Sequence, residues 1–188
     1  CEPWELLGLS CAPGERSAPQ AQLLREASSS ARIEEGASAL DRGVDVLKVK
    51  LGMMAFADEI LGLRSLRDAL GADFGLRLDV NQSWTTEEAR VRLNALRPLG
   101  VELVEEPVPW RCLTDLGRSP VPVALDESLQ DPEAIKALPD LARDALVHAV
   151  VLKPTVLGGV GRCLEIASSA QRLGLGVVVS HCFEGPVA

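Results

Sequence analysis

The sequence predicts an α/β fold and, within that class, a parallel barrel of the (β/α)8 type, also called a TIM-like barrel. From about residue 30 onward, strand-like segments alternate with segments of helical periodicity, and this order indicates a parallel sheet. A polar residue also ends each of six predicted strands, and successive members lie 21 to 29 residues apart. These residues are Lys50, Asp79, Glu105, Asp126, Lys153 and Ser180. A barrel brings them to one mouth, whereas an open doubly wound sheet would leave distant strands too far apart to act together.

The individual elements follow from short apolar runs and from helix start and stop signals. Strands are predicted at residues 19–25, 44–51, 75–80, 101–104, 121–125, 147–153 and 176–180. Helices are predicted at residues 31–42, 55–70, 86–97, 132–143 and 160–173. Gly43 ends the first helix, Thr85 or Thr86 caps the third, and Pro132 opens the fourth directly after Asp131.

Composition limits the classes of partner. The 188 residues are 47% apolar and 24% charged, which is ordinary for a well-buried globular domain. A net charge of −8 without any basic block argues against nucleic acid and anionic membranes, so we expect a small-molecule partner. Five cysteines without C-x-x-C spacing predict free thiols in a reducing compartment. No signal segment and no apolar run of about 20 residues is evident, so we predict a cytoplasmic protein.

Two lysines interrupt the apolar run D-V-L-K-V-K-L-G at residues 45–52. Side chains two residues apart in a strand share a face, so Lys48 and Lys50 are expected to point the same way. Their mutual repulsion, with any desolvation, would favour the neutral form of one amine, which could then act as a base. The alternative is an exposed strand face on which both lysines are solvated.

Three carboxylates follow at successive strand ends: Asp79, Glu105 and Asp126. They would repel one another at one mouth unless a cation lay between them, and oxygen ligands suit Mg²⁺ before Mn²⁺. Lys50 precedes the first carboxylate and Lys153 follows the last, so the two lysines would flank the ion. This arrangement suits moving a proton on or off a carbon whose charge the metal stabilises.

We also predict where four neighbouring polar residues lie. Asn81 is expected to line the mouth, and Glu106 to lie behind the carboxylates. Glu102 is expected either on the mouth side or at the surface. His148 is expected to be packed inside its strand.

The chain resembles a known family through five segments in order: D-V-L-K-V-K-L-G, R-L-D-V-N-Q-S-W, L-V-E-E-P, A-L-D-E-S and V-L-K-P. Together, at barrel spacing, they resemble the barrel of the enolase superfamily, specifically its muconate-cycloisomerase-like subgroup. The resemblance implies that Asp79, Glu105 and Asp126 bind Mg²⁺, and that Lys50 and Lys153 form the acid/base pair. Enolase-superfamily sites are known to combine a Lys or His base with Mg²⁺, so these roles are carried over from the family.

The same resemblance gives supporting roles to Lys48, which would tune Lys50, and to Ser180 at the end of the seventh strand. His181 is left without a role. A histidine there would suit the mandelate-racemase subgroup, which pairs it with an Asp on the sixth strand, where this chain has Lys153.

The resemblance also predicts how the chain is divided. Residues 1–16, with P-W-E-L-L-G, are similar to the end of the family's N-terminal capping domain and its linker. Residues 17–188 are similar to the barrel, beginning with S-A-P-Q-A-Q-L-L as its first strand. The predicted strands number about seven, so most of the capping domain and the last strand are expected to be missing. The chain is then either part of a longer protein or a barrel left open.

The resemblance is greatest to o-succinylbenzoate synthases, through the stretch V-V-V-S-H-C-F-E-G-P-V-A. It implies a Mg²⁺-dependent dehydration of 2-succinyl-6-hydroxy-2,4-cyclohexadiene-1-carboxylate to o-succinylbenzoate, through an enolate, in menaquinone biosynthesis. Alternatives within the subgroup are an N-succinylamino-acid racemase, a dipeptide epimerase and a muconate cycloisomerase. An alternative of another class is an inactive fragment that serves only as a folded or binding module. The oligomeric state, including a homo-oligomer, stays open.

Overall fold

A computed structural model describes residues 19–25 and 28–182 of the chain. Within them, seven parallel strands form one curled sheet in sequential order. The strands are β1 (Ala21–Leu24), β2 (Val46–Lys50), β3 (Gly75–Asp79), β4 (Val101–Glu105), β5 (Val123–Leu125), β6 (Ala149–Leu152) and β7 (Gly176–Val179). The seven predicted strands are thus confirmed, and in this part of the chain β1 and β7 are the two edges of a half-barrel.

Helices connect most of the strands on one side of the sheet. They are α1 (Ser29–Asp41), α2 (Phe56–Leu70), α3 (Thr86–Leu96), α4 (Leu113–Leu116), α5 (Pro132–Arg143), α6 (Pro154–Leu157) and α7 (Val160–Arg172). The five longer helices were predicted, and the single-turn helices α4 and α6 were not, because four residues are too few for a periodic pattern. Thr85 forms a capping box with Glu88, and Asp131 accepts a hydrogen bond from the Glu133 amide.

Both faces of the central strands are covered. Alternate residues, among them Leu47, Leu76 and Leu125, are fully buried in the core shared with the helices. The opposite face carries a smaller apolar cluster that includes Leu103, Ala124 and Val151. Burial on two faces is typical of parallel sheets in α/β proteins. Polar side chains continue this second face toward the carboxyl ends of the strands.

The register aligns the strand ends that carry polar residues. Lys50 on β2 pairs with Asp79 on β3, and Asp79 pairs with Glu105 on β4. The register shifts once between β3 and β4, near Glu102. Glu102 is exposed, forms an ion pair of 2.9 Å with Arg77, and lies near the start of β4. The mouth-side interpretation of Glu102 is therefore wrong, and the surface interpretation is correct.

His148 lies immediately before β6 rather than inside the strand. It still belongs to the backbone ladder, because its amide donates to the Val123 carbonyl and its carbonyl accepts from Gly176. Its Nδ1 also accepts a hydrogen bond of 3.2 Å from the Val123 amide. The imidazole is therefore a structural group at the amino-terminal end of the sheet, far along the strand from the polar mouth.

The predicted capping-domain remnant at residues 1–16 lies outside the described residues. Within the described part, no helix combines the length and the apolar character needed to cross a bilayer.

Candidate active site

Three buried carboxylates lie together at the carboxyl ends of adjacent strands. Asp79 ends β3, Glu105 ends β4, and Asp126 follows β5 directly. One oxygen from each lies within 4.8 Å of the others, and the residues are only 4%, 1% and 3% exposed. The predicted cluster is therefore formed. Buried carboxylates at this spacing need positive charge nearby.

Lys48 supplies part of that charge. Its Nζ lies 2.6 Å from Oε2 of Glu105 and 2.9 Å from Oδ2 of Asp79. Burial alone would lower the pKa of Lys48, but the charges and hydrogen bonds of Glu105 and Asp79 outweigh it, so the pKa lies above its ordinary value. Lys48 is a charged counter-ion. The lysine predicted to be neutral is therefore not Lys48, because two carboxylates lie within contact distance of it.

Lys153 supplies the remaining positive charge. It directly follows β6, and its Nζ lies 2.5 Å from Oδ2 of Asp126. Burial would lower the pKa of Lys153, but the hydrogen bond and charge of Asp126 raise it above its ordinary value. The side chain is 19% exposed, so it reaches the mouth while it remains bound to the carboxylate.

Lys50 occupies a different environment from Lys48. It lies on the same face of β2, two residues farther toward the carboxyl end, but it is exposed. The alternative of a solvated strand face is therefore wrong for Lys48, whereas Lys50 is exposed beside the end of β1, whose last residue Leu24 pairs with Val49. The strand order nevertheless puts Lys50 and Lys153 on opposite sides of the three carboxylates.

The charges and donor atoms fit a divalent cation. Three carboxylates face two ammonium groups, so one negative charge is left over. Burial, and to a smaller extent the charges of Asp79 and Asp126, raise the pKa of Glu105 to about 7 despite the nearby Lys48. The shift in the pKa of Glu105 comes mainly from its removal from water, and a bound cation would favour its charged form. An all-oxygen donor set is the kind that Mg²⁺ and Mn²⁺ prefer.

The supporting residues lie around this cluster in different ways. Asn81 is exposed at the rim, where its amide nitrogen donates to Glu127 and its backbone amide donates to Asp79. Ser180 follows β7 and is half-buried, and its backbone amide donates to the Leu152 carbonyl. His181 is exposed. Glu106 is completely buried behind the cluster, as expected.

Sequence reasoning missed three polar residues that shape the site. Gln82 and Ser128 both donate hydrogen bonds to the Glu106 carboxylate. Glu59, in the first turn of α2, is buried and accepts the three consecutive backbone amides that follow Leu51, so it holds the loop after Lys50 in place. An acidic residue in the first turn of a helix is common, so the sequence offered no distinctive signal for Glu59.

Polar and charged side chains gathered at the carboxyl ends of parallel strands define the class of α/β-barrel proteins that carry their sites at the strand mouth. Within that class, the family model described as Enolase C-terminal domain-like matches residues 31–188. The chain belongs to this family, and the predicted membership of the enolase superfamily is confirmed.

Relatives with assigned names carry more than one activity. The chain is 38% identical over 134 residues to a chloromuconate cycloisomerase of Cupriavidus pinatubonensis, covering 68% of this chain and 35% of that protein. It is 34% identical over 152 residues to an o-succinylbenzoate synthase of Aliivibrio salmonicida, covering 78% of this chain and 45% of that protein. The chain therefore spans less than half the length of these relatives.

Solved structures agree with the described fold. The muconate lactonizing enzyme from Pseudomonas putida aligns with a TM-score of 0.83 at 27% identity, covering 96% of this chain and 50% of that one. The dipeptide epimerase from Enterococcus faecalis V583 aligns with a TM-score of 0.76 at 26% identity, covering 87% and 47%. The barrel-type fold is confirmed, and the activities of these proteins differ.

Proposed function

We propose that this chain carries the barrel part of a Mg²⁺-dependent enzyme that removes a proton from the carbon next to a substrate carboxylate. The specific reaction proposed is the dehydration of 2-succinyl-6-hydroxy-2,4-cyclohexadiene-1-carboxylate to o-succinylbenzoate, a step of menaquinone biosynthesis. The observation that carries the proposal is the pair Lys50 and Lys153, on strands to either side of a buried cluster of three carboxylates. The similar o-succinylbenzoate synthase of Aliivibrio salmonicida supports the choice of reaction.

Asp79, Glu105 and Asp126 would hold the Mg²⁺. The bound ion supplies positive charge beside the substrate carboxylate, which makes the adjacent C–H bond more acidic. Lys48 remains paired with Asp79 and Glu105 and keeps these two ligands in place. Lys50 then performs both proton transfers, and Lys153 provides a fixed positive charge.

Lys50 is proposed as the base because it is exposed at the mouth and can reach a bound substrate. In its neutral form its Nζ takes the proton as the C–H bond breaks. The electron pair then forms the new ring double bond as the C–O bond breaks. Lys50 returns the proton to the departing hydroxyl, which leaves as water from the same face. Lys153 stays charged, held by Asp126, and places its ammonium group beside the substrate ring.

The state of Lys153 favours dehydration over racemisation. A 1,1-proton transfer needs a base on each face of the carbon, so both lysines would have to alternate between charged and neutral forms. Nζ of Lys153 lies 2.5 Å from Oδ2 of Asp126, a contact that suits an ammonium group rather than a second base. A fixed cation is therefore the better role for it. A racemase or epimerase remains the first alternative, because a structurally similar protein is a dipeptide epimerase.

Muconate cycloisomerisation is the second alternative, supported by the similar chloromuconate cycloisomerase of Cupriavidus pinatubonensis. It would use the same site with a different acid substrate. A cytoplasmic location stays a prediction, the inactive module stays an alternative, and the oligomeric state, including a homo-oligomer, stays open.

The test uses the protein at its full natural length, loaded with Mg²⁺ in deuterium oxide. Wild type, Lys50→Ala and Lys153→Ala are each incubated with the cyclohexadiene substrate, with cis,cis-muconate and with N-succinylated amino acids. Lys136→Ala is the matched control, because Lys136 is exposed on α5 and pairs only with Glu133 among the described acidic residues. We expect wild type and the control to dehydrate the cyclohexadiene, and Lys50→Ala to lose this activity.

The Lys153→Ala result distinguishes the reactions. A dehydratase that loses this cation should slow sharply, since each 1.4 kcal/mol or so of lost transition-state stabilisation costs about tenfold in rate. A racemase lacking Lys153 would still exchange the α-proton of one enantiomer with solvent through Lys50. Efficient racemisation by wild type without turnover of the cyclohexadiene would contradict the proposal, and no turnover of any substrate would favour the inactive module.

Metal binding is tested separately by calorimetric titration with Mg²⁺. We expect one dominant site in wild type and weaker binding in Asp126→Asn. Binding that survives the loss of both Asp79 and Asp126 would contradict the proposed ligand set.

A further inference from the structure

Glu106 accepts four hydrogen bonds behind the carboxylate cluster. We propose that Glu106 is a positioning residue which, through Gln82 and Ser128, holds the three carboxylates at the spacing that a divalent ion needs. This inference rests on the proposed metal site and adds to it a residue that does not touch the ion.

Both oxygens of Glu106 are engaged. Oε1 accepts the backbone amides of Asp126 and Ser128 at 2.7 and 2.9 Å. Oε2 accepts the Ser128 hydroxyl at 2.7 Å and the Gln82 side-chain amide at 3.0 Å. Glu106 itself is 0% exposed, so no water replaces any of these donors from bulk solvent. One carboxylate therefore ties the end of β4 to the loop after β3 and to the segment that carries Asp126.

The backbone around this carboxylate is strained. Glu106 and Gln82 are not glycines, yet their φ angles are +46° and +59°, in the left-handed region. Their main chains are also joined, because the Gln82 amide donates to the Glu106 carbonyl at 2.7 Å. Left-handed conformations in such residues carry an energetic cost and persist only where the surroundings hold them. The side-chain hydrogen bond from Gln82 to Glu106 adds to that restraint.

The location of the network connects it to the ligands. Glu106 follows Glu105 directly, Gln82 lies three residues after Asp79, and Ser128 lies two residues after Asp126. Each partner is thus on the segment that leaves one of the three strand ends. A movement of one segment would change the distance between two carboxylates.

The choice of a carboxylate also indicates a positional role. Burying a carboxylate at position 106 is costly, whereas a neutral amide there would avoid the cost of burying a charge. Hydrogen bonds to a charged acceptor are shorter and stronger than those to a neutral one. A buried carboxylate that accepts four hydrogen bonds is therefore expected where function depends on a fixed arrangement of the strand ends.

The test separates geometry from charge. The double variant Gln82→Met with Ser128→Ala removes both side-chain donors to Glu106 but leaves every charge in place. Glu106→Gln keeps the shape, removes the charge and replaces one acceptor oxygen with an NH2 donor. The control Leu138→Ala empties a buried site on α5 and should lower the unfolding temperature without changing Mg²⁺ affinity. Two readouts are used: Mg²⁺ titration and backbone hydrogen exchange at Asp126 and Ser128.

We expect at least a tenfold loss of Mg²⁺ affinity in both Glu106→Gln and the double variant, with faster exchange of the two amides. Unchanged affinity in both would overturn the inference. A loss confined to Glu106→Gln would also overturn it, because the hydrogen bonds from Gln82 and Ser128 would then not be needed.

If wild type binds neither Mg²⁺ nor Mn²⁺, the proposed metal dependence fails, and hydrogen exchange still decides the positioning role. Faster exchange in the double variant, but not in Leu138→Ala, would support that Glu106 holds these strand ends. Equal exchange in the double variant and wild type would overturn it.

Discussion

Nζ of Lys48 lies 2.6 Å from Oε2 of Glu105, although the two residues belong to strands that are not neighbours. The ammonium group crosses β3 and contacts Asp79 on the way, at 2.9 Å. Lys48 therefore neutralises two of the three buried carboxylates. Removal of the Lys48 ammonium group should change both the folding stability and the extent to which a bound cation stabilises the fold.

Lys48→Met is expected to lower the free energy of unfolding by about 3 kcal/mol without metal, because it leaves two buried carboxylates without their partner. Mg²⁺ should then raise the unfolding temperature more in Lys48→Met than in wild type, since the ion replaces the missing charge. Thermal unfolding with a chelator and with saturating Mg²⁺ measures both effects. The matched control is Lys50→Met, two residues along the same strand face and exposed, for which we expect a small change. Equal stability of the two variants without metal would contradict this account.

His148 should make folding stability depend on pH. Burial lowers its pKa, and its Nδ1 accepts a hydrogen bond from the Val123 amide, which requires an unprotonated nitrogen. A folded-state pKa below the unfolded value of about 6.5 means that this stabilisation is present above that pH and is lost as the pH falls below it. The midpoints of urea unfolding are compared at pH 7.5 and 5.5, on the order of one pH unit above and below the unfolded pKa. The two midpoints should differ more in wild type than in His148→Gln. Parallel behaviour of the two proteins would count against the role of the imidazole.

Ala145 offers a test of backbone strain away from the site. It follows α5 with a φ angle of +55°, a conformation that suits glycine after a helix. Ala145→Gly is therefore expected to raise the free energy of unfolding by about 1 kcal/mol. The same substitution inside the helix, Ala137→Gly, should lower it by about 1 kcal/mol. Urea denaturation measures both, and a loss of stability in Ala145→Gly would show that the methyl group has a packing role.

Most of the fold could be predicted because its signals are local. Short apolar runs predict the strands, and segments of helical periodicity with clear caps such as Thr85 predict the helices between them. Each of these signals lies within a few neighbouring residues. The carboxylates were found for a related reason. Asp79, Glu105 and Asp126 each end or follow a strand, and parallel register brings strand ends together.

Other features depend on distances between parts of the chain that are remote in sequence. Gln82, Glu106 and Ser128 are separated by 24 and 22 residues, and their hydrogen bonds exist only once three strand ends are adjacent. The different environments of Lys48 and Lys50 also depend on contacts between remote parts of the chain. Alternation gives them one face, but the carboxylates within reach of each side chain decide which one is paired.

The sequence by itself determined the parallel α/β barrel architecture, the order of the strands and the identity of the polar residues at their ends. These depend on hydrophobic periodicity and on the alternation of side chains along a strand, which are properties of the local chain. Only the tertiary structure decided that Lys48 is a charged counter-ion, that Lys50 is exposed, and that Lys153 is held by Asp126. Ion pairing and burial depend on which charges meet across strands and how deeply they lie, and these are set by the curvature and register of the whole sheet.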